Sequence, residues 1–201
     1  MSLKQWGIGL LCSSALLLTA CRVVDLDENG QPIIPPDPNA KASFANQTPA
    51  QIAQQTWNSK VLTPAQTNAL DSSALKIRAA SADNESVFVK VQGKVDSVAL
   101  SNERERTLTV TVNNQPLQVQ VGPMIRGNAI RDATGYKFED FTNQVQFAQL
   151  SKAYNREAAK HLPKVDESWQ QQPVTVVMAV TLHHDGTLSD AAAISLERGQ
   201  P

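Results

Sequence analysis

From Val87 onward, apolar side chains fall on alternate positions: Val87, Val89 and Val91, then Val95 and Val98 beyond Gly93. A period of two turns one face of a strand toward a core, and the interrupting glycine predicts a bend or bulge. Leu108, Val110 and Val112 predict a second strand, and Leu117, Val119 and Val121 a third. Asn113-Asn114-Gln115 between them reads as a hairpin turn, and Gly122-Pro123 stops the third strand. The period then changes to that of a helix, expected from about Asp140, as its cap, to His161, with Pro163 beyond its end. Phe147 and Tyr154 lie on one side of this helix and Phe141, Val145 and Ala148 on another, which predicts a place between two packed layers. Val174, Val176, Met178 and Val180 predict a fourth strand. Asp185-Gly186 forms the tight turn, and Ala192, Ile194 and Leu196 complete a fifth.

Upstream of the strands, Thr48-Pro49-Ala50-Gln51 combines a capping threonine, a first-turn proline and a reciprocal glutamine. Ile52, Ala53, Thr56 and Trp57 follow at helical spacing. Thr63-Pro64-Ala65-Gln66 repeats the start signal, and Ala69, Leu70, Ser73 and Ile77 mark a second helix to about Ala80. Residues 81–85 read as a loop. The order is thus a helix pair over 48–80 and a body over 86–198 of three strands, a helix and two strands. That order specifies an α+β chain built on an OB-like five-stranded antiparallel barrel, with the helix between strands 3 and 4. An open antiparallel sheet satisfies the same string.

The first twenty residues follow a different logic. Lys4 precedes an apolar stretch from Trp6 to Leu18, and Thr19-Ala20 precede Cys21. A basic start, a short apolar run and small residues before a cut site mark a secretory signal. The run is shorter than the about 20 residues that span a membrane. Leu18-Thr19-Ala20-Cys21 resembles the lipobox of bacterial lipoproteins, which implies cleavage before Cys21 and acylation of its thiol and new amine. The alternative is an ordinary signal cut at an Ala-x-Ala-like site, with Cys21 left free. Two or more acyl chains anchor a protein stably, at about 0.8 kcal/mol per buried methylene. Cys12 leaves with the signal and Cys21 is consumed by lipid, so thiol chemistry is excluded on this reading. Arg22, where aspartate would retain a lipoprotein at the inner membrane, resembles the outer-membrane sorting pattern. Residues 21–47 then carry Pro32, Pro35, Pro36 and Pro38 among acidic and small residues. They read as a stiff tether, reaching roughly 70 Å if extended at about 3.1 Å per residue, or as an arm whose Val23-Val24 and Ile33-Ile34 dock on the domain.

Composition narrows the function. The 201 residues suit one domain over 48–201 plus a tail. Hydrophobic residues make up 41% and aromatics 5%, which predicts an aliphatic core. Lys and Arg number 18 against 19 Asp and Glu, so the phosphate-neutralising footprint of a nucleic-acid binder is not expected. Two cysteines and three histidines limit metal, redox and acid–base chemistry. No Ser-His-Asp elbow, zinc-protease helix or phosphate loop occurs, so neither enzyme activity nor a metal or cofactor is expected. His183 and His184 adjoin a hairpin turn and should diverge, because neighbouring strand residues face opposite ways. His161 suits the end of the long helix. Glu103-Arg104-Glu105-Arg106 reads as an exposed turn, and Trp57 as a core plug in preference to a sugar platform.

Residues 121–150 concentrate the remaining chemistry: VGPMIRGNAIRDATGYKFEDFTNQVQFAQL. The connection from Gly122 to about Glu139 is longer than usual, and such loops tend to bind ligands or pack separately. Arg126 and Arg131 form either a fork for a carboxylate, phosphate or sugar hydroxyls, or a clamp with Asp132, Glu139 and Asp140. Asn143 and Gln144 face the same choice between ligand and loop backbone. Gly122, Pro123, Arg126, Gly127, Arg131, Asp132, Phe138, Asp140, Phe141, Asn143 and Gln144, with the Trp57–Val61 stretch, resemble the pattern of domain-of-unknown-function family 2291, predicted periplasmic lipoproteins. The resemblance covers about residues 45–198 and departs in the first helix pair, which is shorter and richer in Gln and Ala. It implies a lipid-anchored periplasmic protein without an assigned activity. The expected function is a non-enzymatic binding or interaction module of the envelope, whose partners are the membrane, through Cys21, and an envelope protein. The alternative, implied by relatives encoded beside ATP-driven sugar-uptake transporters, is an accessory solute-recognition component. Arg126, Arg131, Asp132, Asn143 and Gln144 are the candidate contact residues.

Overall fold

A computed structural model describes residues 44–199. The signal segment, Cys21 and the expected tether as far as residue 43 lie outside the described residues. Five strands close a barrel: β1 (Glu85–Ala99), β2 (Glu105–Val112), β3 (Gln115–Pro123), β4 (Pro173–Leu182) and β5 (Leu188–Arg198). Their order around it is β1-β2-β3-β5-β4. This is the OB-type connectivity that three strands, a helix and two strands imply, and closure removes the open-sheet alternative. Four neighbouring pairs are antiparallel. The pair that closes the barrel, β3 with β5, is parallel, with Gln120 opposite Ala192.

Closure depends on β1. Its residues Glu85 to Lys94 pair with β4, and Val95 to Ala99 pair with β2. A strand of 15 residues is long enough to bend from one neighbour to the next. Gly93 stays in regular register opposite Val174, and a Cβ added there would meet open space. The irregularity sits past the glycine, between Val95 and Ser97. There Asp96 is accommodated by two neighbours. Thr111 Oγ1 donates to its carboxylate at 2.8 Å, and Gln171 Nε2 donates to its carbonyl at 3.1 Å.

The alternating side chains of β1 to β3 fill the barrel with valine and leucine. Val89, Val95, Leu108, Val110 and Val119 are fully buried there. A second core lies between the barrel and the helices. It takes Phe88, Val177, Ala179, Ala192 and Ile194 from the outer faces of β1, β4 and β5. Those stretches of β4 and β5 are apolar on both faces because helices cover them, which is why Val176 to Val180 run without a polar break.

The N-terminal helices differ in their boundary from the sequence expectation. α1 (Pro49–Thr56) starts with the expected capping box of Thr48 and Gln51. It runs through a π-helical turn, Trp57–Leu62, into α2 (Thr63–Thr67). The second start signal at Thr63 is therefore not a start, and no side chain caps it. Pro64 lacks an N–H, and the widened turn before it absorbs the missing bond. The chain then extends, and Leu70 bridges to β1 through bonds with Phe88 and Lys90. Asp71 caps the separate helix α3 (Ser72–Ala79), its carboxylate accepting from Ser73 and Ala74.

The β3–β4 connection carries the short helix α4 (Ala129–Ala133), a 3-10 turn Phe138–Asp140, and α5 (Gln144–His161). Asn143 caps α5, its Oδ1 accepting from Gln146 N at 2.9 Å. The cap expected at Asp140 instead closes the 3-10 turn by accepting from Lys137 N at 2.9 Å. Leu150, Ala153, Tyr154 and Ala158 form the buried face of α5. Val145 and Ala148 are exposed, so the second apolar side does not meet a packed layer.

Candidate functional site

The loop between β3 and α5 begins at a point of close approach. Gly122 has φ of +84°, and a Cβ there would lie 3.4 Å from the Ala159 side chain. Glycine alone takes that conformation without strain, and it brings the end of β3 against α5. Arg126 follows on the surface. Gln120 pins its backbone, accepting from Arg126 N at 2.7 Å and donating to its carbonyl at 3.1 Å. The Arg126 side chain is 68% exposed, and its guanidinium pairs with Glu105 on β2.

Arg131 goes the other way. The residue is 9% exposed, its Nε donates to Asp132 Oδ1 at 2.7 Å, and its guanidinium lies 4.0 Å from the centre of the Phe147 ring. A longer bond of 3.4 Å reaches the Phe147 carbonyl. Around it, Phe44 stacks on Phe141 at 5.3 Å, and the Tyr136 ring meets both edge-on. The two arginines are therefore not brought together as a fork. Arg131 and Asp132 form a clamp of the loop onto α5, and Arg126 ties the loop to the barrel. Glu139 and Asp140 take no part in either ion pair. Asn143 serves as the cap of α5, and Gln144 is exposed in its first turn.

The residue that joins these parts is Gln146. Buried at 9% exposure, it accepts from Thr142 N at 2.9 Å and donates to the carbonyls of Phe44 and Gln47 at 3.2 and 2.7 Å. One amide thus fixes the entry of the domain to the start of α5. Asn143-Gln144-Val145-Gln146 places a glutamine three residues after a capping asparagine, and that spacing is the signal that marks it. Gln146→Ala takes the side-chain partner from Thr142 N and the Gln47 carbonyl, while the Phe44 carbonyl keeps its bond from Gln47 N, and lowers the unfolding free energy by about 2 kcal/mol. Urea denaturation followed by circular dichroism checks this value.

Between residues 123–128 and the outer face of α5 lies an open cleft of about 580 Å³. Its α5 wall consists of Ala148, Ser151, Lys152, Asn155 and Arg156, and Arg126 stands on the opposite side. Asn155 is buried and donates from Nδ2 to the Gly127 carbonyl at 3.0 Å, which holds the loop wall in place. Ser151 is 4% exposed, and its Oγ has no hydrogen-bond partner. Sequence reasoning missed all four polar residues of this wall. Their spacing, two adjacent positions repeated one turn later, marks a polar strip along a helix.

A smaller cavity of about 350 Å³ opens at α3, lined in part by Lys76, the β2–β3 hairpin and His184. His183 turns elsewhere, toward Asn84 Oδ1 at 2.6 Å and Ser189 Oγ at 2.8 Å, so the two imidazoles diverge as expected. His161 stacks on Trp57 at 5.5 Å, and Trp57 is a buried core residue. Among the described residues, no three His, Cys, Asp or Glu side chains converge as metal ligands.

No curated protein matches the chain. A family model described as predicted periplasmic lipoprotein (DUF2291) matches residues 11–196. The chain belongs to that family of predicted periplasmic lipoproteins.

Proposed function

We propose that this protein is a non-enzymatic binding module of the cell envelope, held at a membrane by lipid on Cys21, which takes a small ligand in the cleft between residues 123–128 and α5. One observation carries this reading: the loop is fixed on both sides, by Arg126 with Glu105 and by Arg131 with Phe147, yet the space beside it stays open at about 580 Å³. A volume of that order suits a small-molecule site, and walls held before binding lower the ordering cost of association. The lipobox-like Leu18–Cys21 segment supports the anchor, and Arg22 favours the outer membrane.

The test uses the full lipidated protein in phosphatidylcholine nanodiscs, with monosaccharides and organic acids screened by saturation-transfer NMR. At least one compound gives a signal with the wild type and loses it in Ala148→Trp, which fills the cleft from an exposed position. Signals equal in both proteins, or silence across the panel, overturn the reading. A neutral monosaccharide as the responding compound selects the sugar-uptake alternative. Mass spectrometry of the same preparation shows acyl chains on Cys21, and an unmodified thiol overturns the anchor.

A further inference from the structure

We infer that the cleft takes a small organic anion, with its carboxylate or phosphate group held between Lys152 and Arg156 and its apolar body against Met124 and Ile125. The inference rests on the reading of the cleft as a binding site and adds the ligand's charge. Lys152, Arg156 and Arg126 line the cleft, and no carboxylate does. Arg126 is already neutralised by Glu105. Lys152 and Arg156 differ from it in this respect: among the described residues neither has an acidic partner. Two like charges four apart on a helix face the same side and repel unless a counter-charge lies between them.

The floor beneath those cations carries donors for an anion. A serine inside a helix ordinarily donates to the carbonyl four residues back, which here is Phe147. That carbonyl accepts from Arg131, and Ser151 Oγ is left buried without a partner. Asn155 uses one N–H on Gly127 and has a second available. Charge-assisted bonds from such groups to an oxyanion are the stronger kind. Beside them, Met124 is 40% exposed, an apolar surface at the cleft that a ligand body would cover. A local cleft with two free cations in a chain of net charge −1 suits a small molecule and not a polyanion, which needs an extended basic track.

Butanoate, benzoate and butyl phosphate, with 1-butanol as the neutral counterpart, are titrated against the full protein in phosphatidylcholine nanodiscs, with empty nanodiscs as reference. The acids bind, 1-butanol binds at least about tenfold more weakly, and Lys152→Gln and Arg156→Gln each weaken the acids by roughly tenfold. Ser151→Ala weakens them further than it weakens 1-butanol. Both cations are exposed, so the variants melt with the wild type, and this is measured alongside. Equal binding of alcohol and acids, unchanged affinity in both charge variants, or no binding of any acid overturns the inference. Equal binding that Ala148→Trp abolishes leaves the cleft as a binding site and removes only the anion. Silence from the acids together with silence from the neutral panel removes both.

Discussion

Arg131→Ala lowers the unfolding free energy by about 3 kcal/mol, while Arg126→Ala lowers it by less than about 1 kcal/mol. The two arginines lie in one loop, five residues apart, but their surroundings differ. Arg131 is 9% exposed, pairs with Asp132 and covers the Phe147 ring. Its removal takes away a charge-assisted bond and a desolvated cation–π contact, and opens space between α4 and α5. Asp132, half exposed, is left on the surface without its partner. Arg131→Lys recovers less than half of the loss, because an ammonium cannot lie flat on the ring and reach two acceptors at once. Arg126 is 68% exposed, and its pair with Glu105 is largely screened by solvent. Denaturant midpoints of the three variants at neutral pH measure the difference. Equal losses at the two positions would show that burial and the Phe147 ring add nothing at Arg131 beyond what an exposed ion pair supplies at Arg126.

The barrel was legible because its strands bury one face and expose the other. Leu108, Val110 and Val112, with Leu117, Val119 and Val121, give the period directly, and Asn113-Asn114 gives the turn. Asn113 and Asn114 both take positive φ, as a tight hairpin needs. Boundaries were less legible where two signals compete. Thr63-Pro64 reads as a helix start in one dimension, yet a π turn carries the chain through it. Asp140 and Asn143 are both capping residues, and only the position of Lys137 N decides which turn each one closes. The site shows the same limit. An arginine near acids reads as a ligand fork or as a clamp, and the choice depends on Phe147, sixteen residues away, lying under Arg131. Ser151, Lys152, Asn155 and Arg156 leave no mark in the apolar periodicity because they form a polar strip, and the loop that faces them comes from before the helix.

Tyr154→Ala carries the largest expected effect, a loss of about 4 kcal/mol, against about 1 kcal/mol for Tyr154→Phe. Tyr154 is fully buried on α5, with its ring 6.3 Å from that of Trp57 and its hydroxyl 2.5 Å from Thr56 Oγ1. Thr56 spends its own proton on the Ile52 carbonyl at 2.6 Å, so the phenol donates to Thr56. Alanine leaves a ring-sized cavity between α1 and α5, and phenylalanine removes only the hydrogen bond. The hydroxyl also makes stability depend on alkaline pH. Burial pushes the Tyr154 phenol well above its ordinary value, and the Thr56 bond only partly opposes it. The unfolded phenol ionises near pH 10, so the folded state holds the proton more tightly. The contribution is complete below about pH 10 and is lost as pH rises beyond it, at up to about 1.4 kcal/mol per pH unit for one proton. Tyr136, also raised by burial, acts in the same direction and remains in the variant. Urea midpoints at pH 8 and about pH 11 therefore fall less steeply in Tyr154→Phe than in the wild type, and parallel curves for the two proteins would show that the phenol does not stay neutral inside the fold.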